Sequence, residues 1–473
     1  MRVAFAVFTL ALNIFASAPA ADEAEQHLSL DQGRVLAMHA LKTGKPQLTL
    51  QLSEALLRAD PKDPLAHLLQ AAAFAKLNDA RAARKSAVRA YRFSSTSIDK
   101  FQAAQMASRL ALVSGSPTLS QVWLRRTAIH APDQKSKELI AKDYQTLRRL
   151  NPWAFRIRAG LKPSSNVNNG SDTTLEIIDG TPSLGSRFGP RSVALSGVIG
   201  TLDLGASRRL HQSQHSLTTL SGRLYIQRVA LSSSAKDLAA ALAAAAGTTV
   251  PSNSEFGSTY AELSLRHAFA VGPEHEKGSA SVGLTTATSW YGEKKNYNLA
   301  KVSGSRSWQF PSGTGLVIDG VVEERFDARS TSYTATVLGF GASLSHKLEN
   351  GDKLKLTLGF RDTDSGHVNS SYSTGLVRLG YDFGKSLGPA RFSTGLILGY
   401  SDYPVYLAGF PVTPLANGRR DKSIYADVNV FFERYDYAGF APILRLRTGR
   451  KTSNHSRFET REFSLSVGVE SKF

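Results

Sequence analysis

The side chains best suited to chemistry are charged groups that recur at every second position in the C-terminal two thirds of the chain. In the stretch APILRLRTGR, for example, Arg445 and Arg447 alternate with Leu444 and Leu446. Alternate residues of a β-strand face opposite sides of the sheet. Burying so many unpaired charges in a dry core would cost several kcal/mol each. The pattern predicts a water-filled lumen, with candidate lining residues Arg223, Arg266, Arg325, Arg378, Arg445 and Arg447.

Catalytic patterns are missing from the sequence. There is no HExxH, GxSxG, P-loop or GxGxxG motif after a strand, and the 11 histidines are scattered without metal-ligand spacing. Cysteine is absent, which excludes a thiolate nucleophile, a thiolate metal site and a disulfide. We therefore expect passage or binding rather than an enzyme, with no cofactor and no metal.

From Pro152 to the end of the sequence, the segments that contain these charged residues have the two-residue period of β-strands. In KLKLTLGFR, Leu354, Leu356 and Leu358 share one face. About fourteen such runs are found, an even number as in single-chain bacterial barrels. Short links such as PSG and ENGD alternate with longer ones, as in a transmembrane barrel. A soluble β-sandwich is the alternative, but it gives no reason for that alternation.

The last strand has the character of a barrel-closing strand. One parity of TREFSLSVGVESKF is apolar: Phe463, Leu465, Val467, Val469 and Phe473. This ending resembles the C-terminal signal of the bacterial barrel-assembly machinery, although Ser471 departs from the usual apolar position. We expect the first strand, Trp153–Leu161, to pair with Phe463–Phe473, at a seam that is weakly paired if the barrel opens sideways.

The N-terminus predicts export. Residues 1–20 combine Arg2, a short apolar run and Ala18-Pro19-Ala20, which is typical of a secretory signal peptide. An N-terminal anchor helix is the alternative. A formal net charge of +18 would suggest nucleic acid in a cytosolic protein, but export makes that partner unexpected.

Residues 21–151 have a helical period instead. Breaks at Gly44 and Asn78 are 34 positions apart, the period of a tetratricopeptide repeat, and a third break follows at Gly115 and Pro117. An unrelated bundle of α-hairpins is the alternative. The segment is basic, which fits either a solvated surface or a groove for an acidic or extended partner.

Two segments between strands are unusual. The first, rich in Gly and Ser, contains Asn166, Asn168 and Asn169; it is either a surface loop or a loop folded into the lumen. The second, SAKDLAAALAAAAGTT, predicts a short alanine helix that stops at Gly247, either above the pore or as plain loop structure.

The chain resembles the surface lipoprotein assembly modulator family in PSSNVNNGSDT, at Pro163–Thr173, and in the hairpin from Arg447 onward, with Arg450, Asn454, Phe458 and Arg461 in the expected order. A tyrosine is more usual near Phe458. The resemblance implies a periplasmic tetratricopeptide-like domain (21–151) joined to a fourteen-stranded outer-membrane barrel (152–473). It also implies a monomeric translocon that exports a client protein, with a periplasmic chaperone, the barrel-assembly machinery and outer-membrane lipids as partners. An exopolysaccharide exporter and a porin with an appended interaction domain are the alternatives.

Overall fold

The computed structural model describes residues 28–272, 278–409 and 412–471. The expected signal peptide and Phe473 lie outside these ranges. Two compact units are distinguished, a helical unit up to Asn151 and a β-unit from Pro152 onward.

From residue 28 onward the helical unit has seven helices in succession, and its breaks lie where the sequence predicts them. Gly44, Asn78 and Gly115 all have positive φ, at 75°, 62° and 73°, a conformation that stops a helix. Prolines occupy the first position of the second, third and sixth helices, where a missing N–H does no harm. The helices are α1 Leu30–Lys42, α2 Pro46–Ala59, α3 Pro64–Lys76, α4 Ala80–Phe93, α5 Ser97–Val113, α6 Pro117–Ile129 and α7 Gln134–Leu150.

Small side chains let these helices approach closely. Ala71, Ala83 and Ala104 are fully buried, in one cluster with Leu110 and Trp123. Within the described residues, no helix has both the length and the apolarity to cross a membrane.

The β-unit is a closed antiparallel barrel of fourteen strands, as the sequence predicts. Each barrel strand pairs with its neighbour in the chain, and β1 closes the ring against β18. Two small hairpins, β2–β3 and β14–β15, and one helix, α8, lie in the connections. The elements are β1 Trp153–Ser164, β2 Leu175–Ile178, β3 Thr181–Arg187, β4 Gly197–Gln212, β5 Ser216–Leu231, α8 Ser233–Ala246, β6 Ser258–Val271, β7 Gly278–Tyr291, β8 Lys294–Gln309, β9 Thr314–Asp327, β10 Ala335–Lys347, β11 Lys353–Ser365, β12 Tyr372–Asp382, β13 Arg391–Tyr403, β14 Leu407–Ala408, β15 Thr413–Pro414, β16 Arg419–Phe431, β17 Phe440–Ser453 and β18 Thr460–Ser471.

The two rims of the barrel differ. We call the rim where β1 begins and β18 ends the proximal rim, and its links are short. The distal rim carries the long connections, 165–196, 232–257 and 404–418, together with the link 454–459. The β7–β8 turn at Gly292 and Glu293 is also distal and is only two residues long. The proximal links 383–390 and 432–439 have eight residues each and are longer than the six-residue distal link 454–459, so the alternation of short and long links is incomplete.

The barrel is apolar outside and charged inside. Outward side chains such as Phe155, Leu161, Phe340 and Phe463 are each 60–64% exposed. Strand partners share a face, so the pairing of Leu161 with Val467 and of Phe340 with Phe360 continues this apolar surface around the ring. An apolar exterior around a charged interior is the architecture of an outer-membrane barrel.

Candidate functional site: the lumen wall and the β1–β18 seam

The six arginines predicted to line a lumen all have inward parity, and each has a polar partner on the wall. Arg223 contacts Asp203 at 2.8 Å, Arg266 contacts Ser281 at 3.0 Å, Arg325 contacts Glu323 at 2.6 Å, Arg378 contacts Asp427 at 2.9 Å, Arg445 contacts Glu470, and Arg447 lies 3.8 Å from Glu462. Their side chains are still partly exposed, so they belong to a wet surface.

The seam between β1 and β18 is the shortest strand pairing of the described barrel. It has four pairs: Ala159–Val469, Gly160–Gly468, Leu161–Val467 and Ser164–Ser464. Every other seam has ten or more. A backbone hydrogen bond contributes about 0.5–1.5 kcal/mol, so the pairing free energy of this seam is smaller than that of the other seams by several kcal/mol.

Two features shorten this ladder. It is interrupted at Lys162 and Pro163, and a proline has no N–H to donate. One residue from Ala159 toward the proximal rim, Arg158 lies opposite Glu470 in the same register, but these two residues do not form a ladder pair. On its other side, β1 pairs with β4 along its whole length.

Ion pairs on the lumen side cross the seam where the ladder is weak. Lys162 Nζ is 2.7 Å from Glu462 Oε1, and Arg158 Nε is 3.3 Å from Glu470 Oε1. On their other side these carboxylates meet β17, at Arg447 and Arg445. Each glutamate therefore ties three strands together, and we call these six side chains the seam ion-pair cluster.

Sequence reasoning found the two arginines on β17 but missed Glu462, Glu470, Arg158 and Lys162. The usable signal was the opposite sign of charge at inward positions of the first and last strands. Since those strands must meet in a closed barrel, complementary charges on them favour contact.

The first distal connection, 165–196, is docked onto the last, 454–459, directly above the seam. Ser171 Oγ donates to Ser456 O at 2.6 Å, and Ser456 Oγ accepts from Ile177 N at 2.8 Å. Asp179 N donates to Asn454 O at 2.8 Å. The distal end of the seam is thus held by the docked loops and by the Lys162–Glu462 ion pair, while on the proximal side of the ladder the strands are joined by the Arg158–Glu470 ion pair.

A cage of three aromatic rings surrounds Arg419 at the distal mouth of the barrel. Arg419, 5% exposed, has inward parity on β16, and its guanidinium lies 3.5 Å from the Tyr403 ring centroid and 3.6 Å from that of Phe458. Tyr406 completes the cage at 4.7 Å. Because Tyr406 and Phe458 belong to connections and still reach an inward-facing residue, those connections turn into the mouth of the barrel. Cation–π contacts in such a desolvated site are worth about 2 kcal/mol.

Two of the three asparagines of the first connection hold its backbone through side-chain hydrogen bonds, and the third occupies a turn. Asn166 is buried and bonds Gly170 N and O at 2.8 Å each. Asn168 donates to Val193 O at 2.8 Å and accepts from Leu195 N at 2.9 Å. Asn169 is exposed and has a φ of 52°, a conformation that asparagine tolerates.

The predicted alanine helix is present as α8. Ser232 caps its start, and Gly247, with a φ of 60°, ends it. Its buried face, Ala235 and Ala239, shares a core with Leu195 and with the inward-facing Ile199 and Val229. It therefore packs inside the distal mouth.

We expect the docking of the two connections to depend on pH through His455. His455 is 4% exposed, its Nε2 is 3.0 Å from Glu176 Oε1, and its Nδ1 has no partner. Burial lowers the pKa of His455, opposed by Glu176 and assisted by Arg419 and Arg457. The unfolded loop then binds more protons than the docked loop below about pH 6.5, so docking weakens as pH falls.

We expect amide exchange at Ile177 and Asp179 to be several-fold faster in wild type than in His455→Gln at pH 5.5, with little difference at pH 7.5. Glutamine keeps a donor for Glu176 and does not titrate. Comparing the two proteins at the same pH cancels the intrinsic exchange rate. An equal ratio of rates at both pH values would rule out His455 as the titrating group.

The helical unit has a second candidate surface. A groove of about 500 Å³ between α4 and α6 is lined by Val88, Leu119 and Trp123 and by five cations, Arg81, Arg84, Lys85, Arg89 and Arg92. None of the five is in an ion pair within the described residues. An apolar floor with a rim of unneutralised cations suits an acidic peptide that carries an apolar anchor.

No protein-family model matches this chain, and no curated protein matches its sequence. Among solved structures, the outer membrane channel DcaP of Acinetobacter baumannii is similar at 11% identity and a TM-score of 0.38, over 68% of this chain and 97% of that one. Acinetobacter baumannii OccAB4 is similar at 9% and 0.31, over 66% and 97%. The Yersinia enterocolitica type III secretion translocator chaperone SycD matches at 15% and 0.24, over 26% and 84%. Similarities at this identity and TM-score say nothing about the substrate or client of this chain. The geometry of the chain itself shows a helical unit followed by a fourteen-stranded barrel of the outer-membrane type.

Proposed function

We propose that this protein is an outer-membrane translocon that moves a client protein from the periplasm to the cell surface. The observation that carries the proposal is the β1–β18 seam, with four ladder pairs where every other seam has ten or more. A passive pore needs no weak seam, whereas a barrel that releases a polypeptide sideways does. In this proposal the proximal rim and the helical unit face the periplasm, and the distal connections face outward.

The obstructed mouth supports the same proposal. Three connections and α8 pack against inward-facing residues at the distal rim, which hinders a straight path through the barrel. A client that leaves through the seam does not need that path. The groove between α4 and α6 would engage an acidic segment of the client or of its chaperone on the periplasmic side.

A second function has one specific observation in its favour. The lumen wall is rich in arginine, including the two on β17, and acidic solutes or an acidic polymer would be attracted to such a wall. A porin or an exopolysaccharide exporter would use the wall in this way. Both alternatives use the lumen as the path and leave the seam closed.

The test is deletion of the gene followed by protease shaving of intact cells and mass spectrometry. We expect one or a few proteins to leave the surface and accumulate in the periplasm. Wild-type protein should restore them, and Arg84→Glu/Arg89→Glu should restore them only in part if the groove engages the client. An unchanged protein inventory, with altered surface polysaccharide or solute uptake, would replace the translocon by one of the alternatives.

A further inference from the structure

Cations are clustered on the outward face of the barrel, near the distal rim of β16, β17 and β18. Arg450 pairs with Ile424 of β16, and Ile424 is an outward residue that is 45% exposed. Arg461 pairs with Arg450, and Lys422 lies two residues from Ile424, so all three share that face. They are exposed side chains at the edge of the apolar belt.

The register brings these charges close together. Arg450 and Arg461 stand directly opposite each other, which places their Cβ atoms about 4.5–5.5 Å apart, and the diagonal neighbour Lys422 lies about 7–8 Å away. Like charges directly opposite destabilise a sheet, and cations on a lipid-facing surface add a cost that grows with depth. A counter-anion would remove both costs.

The protein itself provides few carboxylates to neutralise these three cations. Among the described residues, Arg450 and Lys422 are in no ion pair. Arg461 reaches Asp172 only at 3.9 Å and stays 84% exposed. The next cation on the same face, Arg420, is paired with Asp402 at 3.3 Å. Lys422 and Arg450 are therefore uncompensated, and Arg461 is compensated only by a long ion pair.

Apolar side chains continue from this cluster toward the middle of the barrel. Phe463, Leu465 and Val467 are outward and 60%, 38% and 52% exposed. A ligand that spans both regions needs a negative head above an apolar body. Phosphate is the anion for which clustered Arg and Lys side chains are best suited, and Arg supplies two donors to it at once.

We propose that Lys422, Arg450 and Arg461 bind the phosphate groups of an anionic lipid in the outer leaflet, with its acyl chains on Phe463 and Leu465. The inference rests on the barrel lying in the membrane with its distal rim outward, as proposed above, and does not depend on what the barrel exports.

The experiment uses the full-length protein, refolded in detergent, and native mass spectrometry with bisphosphoryl lipid A. We expect a bound lipid on wild type, and at least about tenfold weaker binding to Lys422→Gln/Arg450→Gln/Arg461→Gln. The control is Lys294→Gln/Lys295→Gln, two neighbouring exposed cations at the same rim on the opposite side of the barrel, one of which faces outward, and it should bind like wild type. Heat-dependent gel mobility verifies that both variants are folded.

Two further arms identify the source of the phosphate. Lipid A stripped of phosphate should not bind, and millimolar inorganic phosphate should not displace the intact lipid. Equal binding of the stripped lipid, or of the triple variant, would show an acyl-chain contact only and overturn the proposal. Displacement by free phosphate would show a solute site and would also overturn it. Since the assay contains no client, its outcome is separate from that of the export test.

Discussion

Linking Ser164 to Ser464 through a disulfide should stop export of the client. The two residues stand directly opposite each other across the β1–β18 seam, are 6% and 2% exposed, and differ from cysteine by one atom. Opposed residues of an antiparallel ladder have Cα atoms about 4.5–5.5 Å apart, within disulfide range. The chain contains no cysteine, so Ser164→Cys/Ser464→Cys forms no competing bond.

A second lock, Ala159→Cys/Val469→Cys, tests the middle of the same seam. We expect surface client to fall by an order of magnitude or more in either oxidised variant and to return on reduction. The matched control is Ser281→Cys/Ser305→Cys, a directly opposed inward pair on β7 and β8, where the ladder is long. Normal export through both oxidised seam locks would exclude sideways release.

Replacing both carboxylates of the seam ion-pair cluster should destabilise the barrel markedly. Glu462→Gln/Glu470→Gln leaves Arg158, Lys162 and the two β17 arginines facing one another without an anion. The side chains of Glu462 and Glu470 are 20% and 23% exposed, so the contribution of their ion pairs to stability should lie between that of surface pairs and that of buried pairs. We expect a loss of about 2–4 kcal/mol for the pair, seen as a lower temperature for the heat-dependent shift in gel mobility.

Asp427→Asn is the control for this prediction. It removes a lumen carboxylate of β16 that pairs with Arg378 of β12 across the intervening strand β13, and the β12–β13 and β13–β16 ladders have ten and thirteen pairs. A smaller shift is expected, because the ladder holds those strands together without the ion pair. If the two variants lowered the unfolding temperature equally, the seam ion-pair cluster would have no special role in closure.

Local chemistry made much of this fold predictable. Gly44, Asn78 and Gly115 end helices through backbone conformations that these residues adopt easily, and the following prolines or caps start the next helix. The strands follow from alternation, because one face must be apolar in lipid and the other is charged. For the same reason, the alternation in the sequence predicted that the six arginines face the inside of the barrel.

Contacts between distant parts of the chain were not predictable. Ser171 and Ser456 are 285 positions apart, and nothing local in either segment indicates the other. The cage around Arg419 joins Tyr403 and Tyr406 to Phe458, which is more than 50 positions further along the chain. The length of the seam ladder depends on register, which is set by the whole ring and not by either strand alone.

Closure of the ring also determines the order in which this barrel folds. Thirteen of the fourteen barrel seams join strands that are neighbours in the chain, whereas β1 and β18 are about 300 residues apart. Short loops close at small entropic cost, so the hairpins should form first and leave a curved sheet with two free edges. Those edges meet last and through few hydrogen bonds, so mutations in the seam should mainly accelerate unfolding and leave the folding rate nearly unchanged.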